Sequence, residues 1–113
     1  MIRGEVWWAL LPSRKGEKLR KPRLVVIVSH DASNRHLDRA QVVPLTPQVG
    51  RVFPSEAAVQ VGGRRCKAKA DRVTTVSRAR FIRPIGRLGP IDMEAVDRAL
   101  SVQLGLTAVS SVG

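Results

Sequence analysis

The chain has 113 residues and a formal net charge of +11, from 20 Lys and Arg residues against 9 Asp and Glu residues. This length predicts one domain over residues 1–113, and the charge favours a polyanionic partner, nucleic acid first and an acidic protein second. A lone cysteine, Cys66, excludes an internal disulfide framework, and without a signal peptide or a run of roughly 20 apolar residues we expect a cytoplasmic protein with no membrane segment.

The first predicted strand is Glu5–Leu11, where Trp7 and Trp8 are adjacent and so face opposite sides. One of them is expected in the core, and the other is expected to pack in a dimer or to offer a stacking surface for an unpaired base. The pattern does not decide between them, and we name Trp7 as the candidate RNA contact. The basic loop Ser13–Pro22 follows and should be mobile, because little in it is apolar.

The segment Arg23–Thr46 organises the rest of the chain. Its apolar runs Leu24–Val28 and Val42–Leu45 predict two buried strands joined by a polar crossover, Ser29–Gln41. Arg23 enters the first strand and Thr46 leaves the second. If the strands pair, an Arg fork that can hold a phosphate bidentately meets a hydroxyl at one sheet edge, which is our candidate reaction centre.

The second half of the chain predicts three more strand regions and one helix. The strands are expected at Val52–Val61, Cys66–Ala70 and Val73–Val76, with a turn at Gly62-Gly63 and a further segment, Arg80–Ile85, leading to a turn. The helix is expected at Ile91–Leu104, with a core-facing stripe of Met93, Val96, Leu100 and Leu104. The pattern therefore predicts a mainly β fold, a small bent barrel with a C-terminal helix.

Five segments in sequence resemble the MazF/PemK toxins. They are RGEVWWALL at Arg3–Leu11, KPRLVVIVSHDASN at Lys21–Asn34, VVPLT at Val42–Thr46, ADRVTTVSRARF at Ala70–Phe81 and RPIGRLGPIDMEAVDRALSVQLGL at Arg83–Leu106. The resemblance implies an SH3-like barrel of the MazF/PemK kind, shared with the gyrase-poisoning CcdB-like toxins, and usually a homodimer. It also implies an mRNA interferase of a type II toxin–antitoxin module, neutralised by an acidic antitoxin.

The same resemblance maps the family's catalytic Arg onto Arg23 and its catalytic Thr onto Thr46. It implies metal-independent cleavage of single-stranded RNA, in which a ribose 2′-OH attacks the adjacent phosphate to leave a 2′,3′-cyclic phosphate and a 5′-OH. Arg23 suits charge stabilisation at the phosphorane and not proton abstraction, because its pKa lies far above neutral. The family usually has Pro after this Arg, and Leu24 in its place is expected to loosen the backbone.

Several other residues are candidates for substrate contact, each with a plainer structural interpretation. His30 could equally be a solvated loop histidine, and Ser29 and Asn34 flank a natural turn. No Cys/His cluster or suitably spaced carboxylate pair predicts a metal site, so we expect no cofactor. The candidate contacts are Trp7, Lys18, Arg20, Lys21, Ser29, His30 and Asn34.

Two alternative functions remain open at this point. The chain could be a gyrase-poisoning toxin of the same fold, which acts by binding a protein, or a non-catalytic basic barrel that binds RNA. Two groups of basic residues could track a phosphate backbone or form a solvated face, namely Arg64, Arg65, Lys67 and Lys69, and the series Arg78, Arg80, Arg83 and Arg87. Cleavage of a synthetic RNA by the pure protein separates the three hypotheses.

Overall fold

Seven strands and two α-helices make up the described part of the chain, residues 1–12 and 21–107 of a computed structural model. The predicted mainly β fold with a C-terminal helix is confirmed. The strands are β1 Glu5–Leu10, β2 Pro22–Ile27, β3 Arg39–Thr46, β4 Glu56–Val61, β5 Arg64–Lys69, β6 Thr74–Ser77 and β7 Phe81–Arg87. The helices are α1 Asp31–His36 and α2 Pro90–Gln103, and single 3₁₀ turns occupy Ala70–Arg72 and Arg78–Arg80.

The strands form one antiparallel sheet in the order β4-β5-β3-β2-β1-β7, with β6 also paired to β3. A flat sheet would separate β6 from β7 by four strand spacings, roughly 19 Å. The four-residue step from Ser77 to Phe81 reaches at most about 14 Å. The sheet must therefore curl until these two strands approach, which produces the barrel-like shape.

Both faces of the central strands are buried, as the unbroken apolar run in β2 predicts. Val25, Val26 and Ile27 are each fully buried. One core cluster joins the central strands to β4, β5 and α2 through Val6, Val26, Val43, Leu45, Ala57, Val59, Cys66, Ala68, Val96 and Ala99, among others. A second cluster fills the inside of the curl with Ala9, Val25, Ile27, Ala40, Val42 and Val76, against which Trp7 and Phe81 pack.

Helix α2 follows the prediction within one residue at each end. Pro90 begins it, in the first turn where a missing N–H costs nothing. Val96 and Ala99 are buried, and Met93 and Leu100 pack beside them. The prediction that Leu104 faces the core is wrong, because the helix ends at Gln103 and Leu104 is 57% exposed. Gly105, at φ +72°, turns the chain away there.

The crossover between β2 and β3 holds a short helix, α1, that the sequence analysis missed. His30 caps it, because its Nδ1 accepts the Ala32 N–H at 3.0 Å. The Ser29 hydroxyl donates to Asn34 Oδ1 at 2.5 Å, and Asn34 Nδ2 donates back to the Ser29 carbonyl at 3.0 Å. The Gln41 N–H donates to Ser29 Oγ at 3.0 Å, so the first residues of the crossover are fixed to its last.

Arg3 connects this crossover to the C-terminal helix. Its backbone N–H donates to Asp31 Oδ1 at 2.7 Å, its Nε donates to the Val28 carbonyl at 2.9 Å, and its guanidinium pairs with Asp97 of α2. The Arg3 N–H bond lowers the pKa of Asp31 below its ordinary value. None of the helices within residues 1–12 and 21–107 has the length and apolar character needed to cross a bilayer.

Candidate active site

The paired strands β2 and β3 carry Arg23 and Thr46 just beyond the end of their ladder. The predicted pairing is confirmed, with Val25 opposite Pro44 and Ile27 opposite Val42. The ladder ends at Val25 and Pro44, and the same register continued by two residues puts Arg23 opposite Thr46, on the same face of the sheet. On the outer edges of the two strands, Arg23 pairs with Ala9 of β1 and Thr46 pairs with Lys67 of β5. The two residues therefore flank the end of the β2–β3 ladder.

Both residues reach the surface. Arg23 is exposed and forms no ion pair with any residue that the structure describes. Thr46 is half-buried, and its hydroxyl accepts the Gln48 N–H at a long 3.4 Å, which leaves its own proton available. Leu24 pairs with Trp8 in the β1–β2 ladder and packs against the first core cluster, so the residue after Arg23 lies in a regular strand. The expected loosening relative to Pro stays a prediction.

Lys67 is a neighbour of Thr46 that the sequence analysis did not place in the site. Its side chain is only 13% exposed, and its Nζ lies 3.4 Å from Glu56 Oε1 and donates to the Arg51 carbonyl at 3.3 Å. Lys69 Nζ lies 3.4 Å from the other oxygen of Glu56. Lys67 and Lys69 are therefore not a freely solvated basic face. Lys67 and Lys69 alternate with Cys66 and Ala68 along β5, which indicates that the two lysines share one face of the strand. The alternation does not indicate which residue they contact.

A family model for PemK-like, MazF-like toxins of type II toxin–antitoxin systems matches residues 2–104. The chain belongs to this family. It is 32% identical to endoribonuclease MazF9 of Mycobacterium tuberculosis, over 94% of this chain and 98% of that one. It is 38% identical to probable endoribonuclease MazF5 of the same organism, over 88% and 89%. The resemblance inferred from the five sequence segments is confirmed.

Solved structures agree with the fold of the toxin. A mycobacterial endoribonuclease in complex with its cognate antitoxin matches with a TM-score of 0.79 and 26% identity, over 96% of this chain and 98% of that one. A MazF structure from Deinococcus radiodurans matches with a TM-score of 0.77 at 20% identity, over 93% and 96%. The predicted MazF/PemK-like barrel is confirmed.

Three predicted contacts of the toxin lie beyond the end of β2 that is farther from Arg23. His30 comes seven positions after Arg23, roughly 20 Å along an extended chain. Ser29 and Asn34 are buried, at 9% and 2% exposure, and bond to each other. His30 is exposed but caps α1. These residues build the crossover, and in this structure they do not converge with Arg23 and Thr46.

The remaining predicted contacts lie near Arg23 in the fold or outside the described residues. Lys21 is exposed, two residues before Arg23. Trp7 lies on the same face as Arg23, where its ring meets Phe81 edge-on at 5.6 Å and its Nε1–H donates to Glu5 Oε1 at 3.2 Å. Trp8 is on the opposite face, and both indoles are half-buried. Lys18 and Arg20 fall in residues 13–20, which are not described.

The wider surface of the toxin is basic and open. Arg64, Arg65, Arg83 and Arg87 are exposed, whereas Arg78 donates to the Asn34 carbonyl at 3.0 Å. A cavity of about 280 Å³ lies between β4 and α2, and neither Arg23 nor Thr46 lines it. Within the described residues, no three His, Cys, Asp or Glu side chains are grouped to hold a metal ion.

Glu56 should make the stability of the toxin vary with pH in the acidic range. The Phe53 N–H bond, aided by Lys69 and Lys67 and opposed by burial, holds the pKa of Glu56 below its ordinary value. A lowered folded-state pKa contributes stability above the unfolded pKa, which is lost as pH falls through the folded value. We expect the gap in unfolding free energy between the parent and Glu56→Gln to be constant above about pH 5 and to shrink below about pH 4. Urea unfolding across this range measures it, and parallel curves would contradict the prediction.

Proposed function

We propose that the toxin is a cytoplasmic, metal-independent endoribonuclease that cuts single-stranded RNA. The scissile phosphate would be held between the side chains of Arg23 and Thr46. The observation that supports this proposal is the register of β2 and β3, which, continued two residues beyond the last pair, puts Arg23 opposite Thr46. Both curated relatives bear the name endoribonuclease, which supports the prediction of an enzyme.

The site has two groups that can stabilise the transesterification of RNA. The ribose 2′-hydroxyl gives up its proton as its oxygen attacks the adjacent phosphorus, and the bond from phosphorus to the 5′-oxygen breaks as that oxygen gains a proton, which leaves a 2′,3′-cyclic phosphate and a 5′-OH. The nucleophile belongs to the substrate, so no Ser or Cys nucleophile is needed. Arg23 can hold two phosphate oxygens and stabilise the added charge of the phosphorane, and Thr46 can donate a hydrogen bond to one of them.

Cleavage by the pure protein tests the proposal against both alternatives. The toxin is incubated in EDTA with a synthetic single-stranded RNA, with its duplex and with DNA of the same sequence. We expect cuts in the single-stranded RNA alone, with cyclic phosphate ends identified by mass. RNA that is bound and never cut would establish the non-cleaving RNA-binding barrel. Intact RNA with inhibited gyrase supercoiling would establish the gyrase-poisoning alternative.

We also propose that the toxin is a homodimer. Strand β7 lies at an edge of the sheet, paired only with β1 among the described strands, and exposes Ile82 at 49% and Ile85 at 42%. An edge strand with apolar side chains is well suited to a partner copy. Light scattering should give about twice the chain mass of 12.4 kDa. The monomer mass at micromolar concentration would contradict the prediction.

An acidic antitoxin is the proposed inhibitor, and electrostatics should dominate its association. The net charge of +11 supplies the attraction, and a related endoribonuclease has been solved with its cognate antitoxin. We expect affinity to fall as salt rises from 50 to 500 mM, because screening shortens the reach of surface charges to a few ångströms. Calorimetric titration with the acidic antitoxin measures this. Affinity that did not change with salt would exclude the electrostatic account.

A further inference from the structure

Phe53 is the exposed aromatic side chain of this protein. The chain has two Trp, two Phe and no Tyr, all within the described residues. Trp7, Trp8 and Phe81 are half-buried, whereas Phe53 is 48% exposed. The Arg51 guanidinium carbon lies 5.0 Å from the centroid of the Phe53 ring, in cation–π contact. Phe53 and Arg51 thus form a small stacked pair on the surface, which we call the Arg51–Phe53 stack.

The backbone under this stack is fixed. The Phe53 N–H donates to Glu56 Oε1 at 3.0 Å, and the Phe53 carbonyl accepts the Glu56 N–H at 2.8 Å. Lys67 holds the Arg51 carbonyl at 3.3 Å and the Glu56 carboxylate at 3.4 Å. The Glu56 side chain is only 7% exposed, so its carboxylate is held in place beneath the loop. The ring therefore points outward from an ordered loop, and a ligand would not have to order the loop on binding.

The stack lies close to Thr46. The loop that carries it, residues 47–55, begins directly after Thr46 at the end of β3. Lys67 pairs with Thr46 across β3 and β5, and the same Lys67 side chain reaches the Arg51 carbonyl. One lysine side chain thus spans the distance from the strand position next to Thr46 to the backbone of the stack.

We propose that the Arg51–Phe53 stack binds an unpaired nucleobase of the RNA strand whose phosphate lies at Arg23 and Thr46. The inference rests on the proposed function and adds a subsite to it. An exposed aromatic ring and a guanidinium plane are the two surfaces on which single-stranded bases stack. The guanidinium also attracts the phosphate of the stacked nucleotide. These features favour RNA over a protein as the occupant.

Equilibrium binding to an RNA that cannot be cut tests the proposal. The probe is a fluorescent RNA with 2′-deoxyribose at the mapped scissile nucleotide, or unmodified RNA if the parent protein cuts none. Phe53→Ala and Phe53→Leu should each weaken binding roughly 5- to 150-fold, and Phe53→Trp should restore it, because the loss follows the π-face and not the apolar volume. Ile91→Ala, at an apolar side chain of α2 that is 80% exposed, is the matched control and should bind as the parent does.

A series of RNA probes, each lacking one base near the scissile phosphate, identifies the partner of Phe53. Removing one particular base should weaken binding to the parent and make no further difference to Phe53→Ala. The slope of log affinity against log salt should be unchanged in Phe53→Ala, since stacking releases no counterion. Arg51→Ala should reduce that slope by about 0.7.

The outcomes separate this subsite from the proposed function. If the parent cuts RNA and Phe53→Ala binds RNA as tightly as the parent does, the subsite is overturned and the proposed nuclease activity stands. Weakened binding by Phe53→Ala in a protein that cuts no RNA supports the subsite and overturns the nuclease. Equal losses with every base-deleted probe, or a loss of antitoxin affinity alone, also overturn the subsite. Unchanged thermal unfolding of Phe53→Ala confirms that its fold is intact.

Discussion

Replacing Arg23 with alanine should lower the single-turnover rate of RNA cleavage by roughly 10²–10³-fold. We expect a large loss because Arg23 is the cation that the proposed mechanism sets at the reacting phosphate. Thr46→Ala should lose less, since a neutral hydrogen bond stabilises the transition state less than a charged one. Arg23→Lys should fall between the parent and Arg23→Ala, because an ammonium keeps the charge without the bidentate fork.

The control for this series is Arg39→Ala. Arg39 is an exposed arginine at the first position of β3, whereas Thr46 is at the last. Its replacement therefore removes one positive charge at a place distant from the site. RNA affinity should largely survive in all four variants, because many other basic residues hold the backbone. Cleavage by Arg23→Ala at nearly the parent rate, or an equal fall in Arg39→Ala, would show that Arg23 is not the stabilising group.

A single 2′-deoxyribose at the scissile nucleotide abolishes cleavage and leaves binding almost unchanged. The substitution removes the attacking oxygen and keeps the phosphate, the base and nearly all contacts. The measurement is a single-turnover time course together with fluorescence anisotropy on the same oligonucleotide.

The control for the substrate is the same RNA with 2′-deoxyribose one nucleotide away, which should still be cut. Cleavage of the RNA that lacks the scissile 2′-OH would mean that water attacks the phosphorus. That result would replace the transesterification scheme while keeping RNA as the substrate.

The sequence predicted the centre of the fold well because the determining pattern is local. The apolar runs of β2 and β3 define two buried strands, and antiparallel pairing follows once both are in the sheet. The same register, continued by two residues, puts Arg23 opposite Thr46. The short helix α1 was missed because its stability comes from the cap at His30 and from the buried Ser29–Asn34 bonds, which depend on side-chain placement and not on periodicity.

The surroundings of the site could not be predicted from the alternation of apolar and polar residues. Such a pattern tells which face of the sheet a side chain is on, and not which residues it contacts. Lys67 was grouped with basic residues that could bind phosphate or be solvated, and in the fold it reaches Glu56 on the adjacent strand. His30, Ser29 and Asn34 were grouped with Arg23 because they follow the same strand, although an extended strand separates its two ends. Strand β4 begins at Glu56 and not at Val52, since residues 47–55 form the loop that carries Phe53.

Strand β3 belongs to three ladders, with β2, with β6 and with β5, and the ladder with β5 is the shortest. Within the part of the chain that the structure describes, β5 is paired to β3 only through Leu45 with Ala68 and Thr46 with Lys67. The β4–β5 hairpin is held mainly by burial of its inner side chains beneath α2. On warming, this hairpin is a natural unit for local opening, and Thr46 lies at its hinge. Helix α2 packs on the face of the sheet opposite to that of Arg23 and Thr46, and it should govern how long the candidate site stays assembled. Activity should therefore decline on heating before the protein as a whole melts.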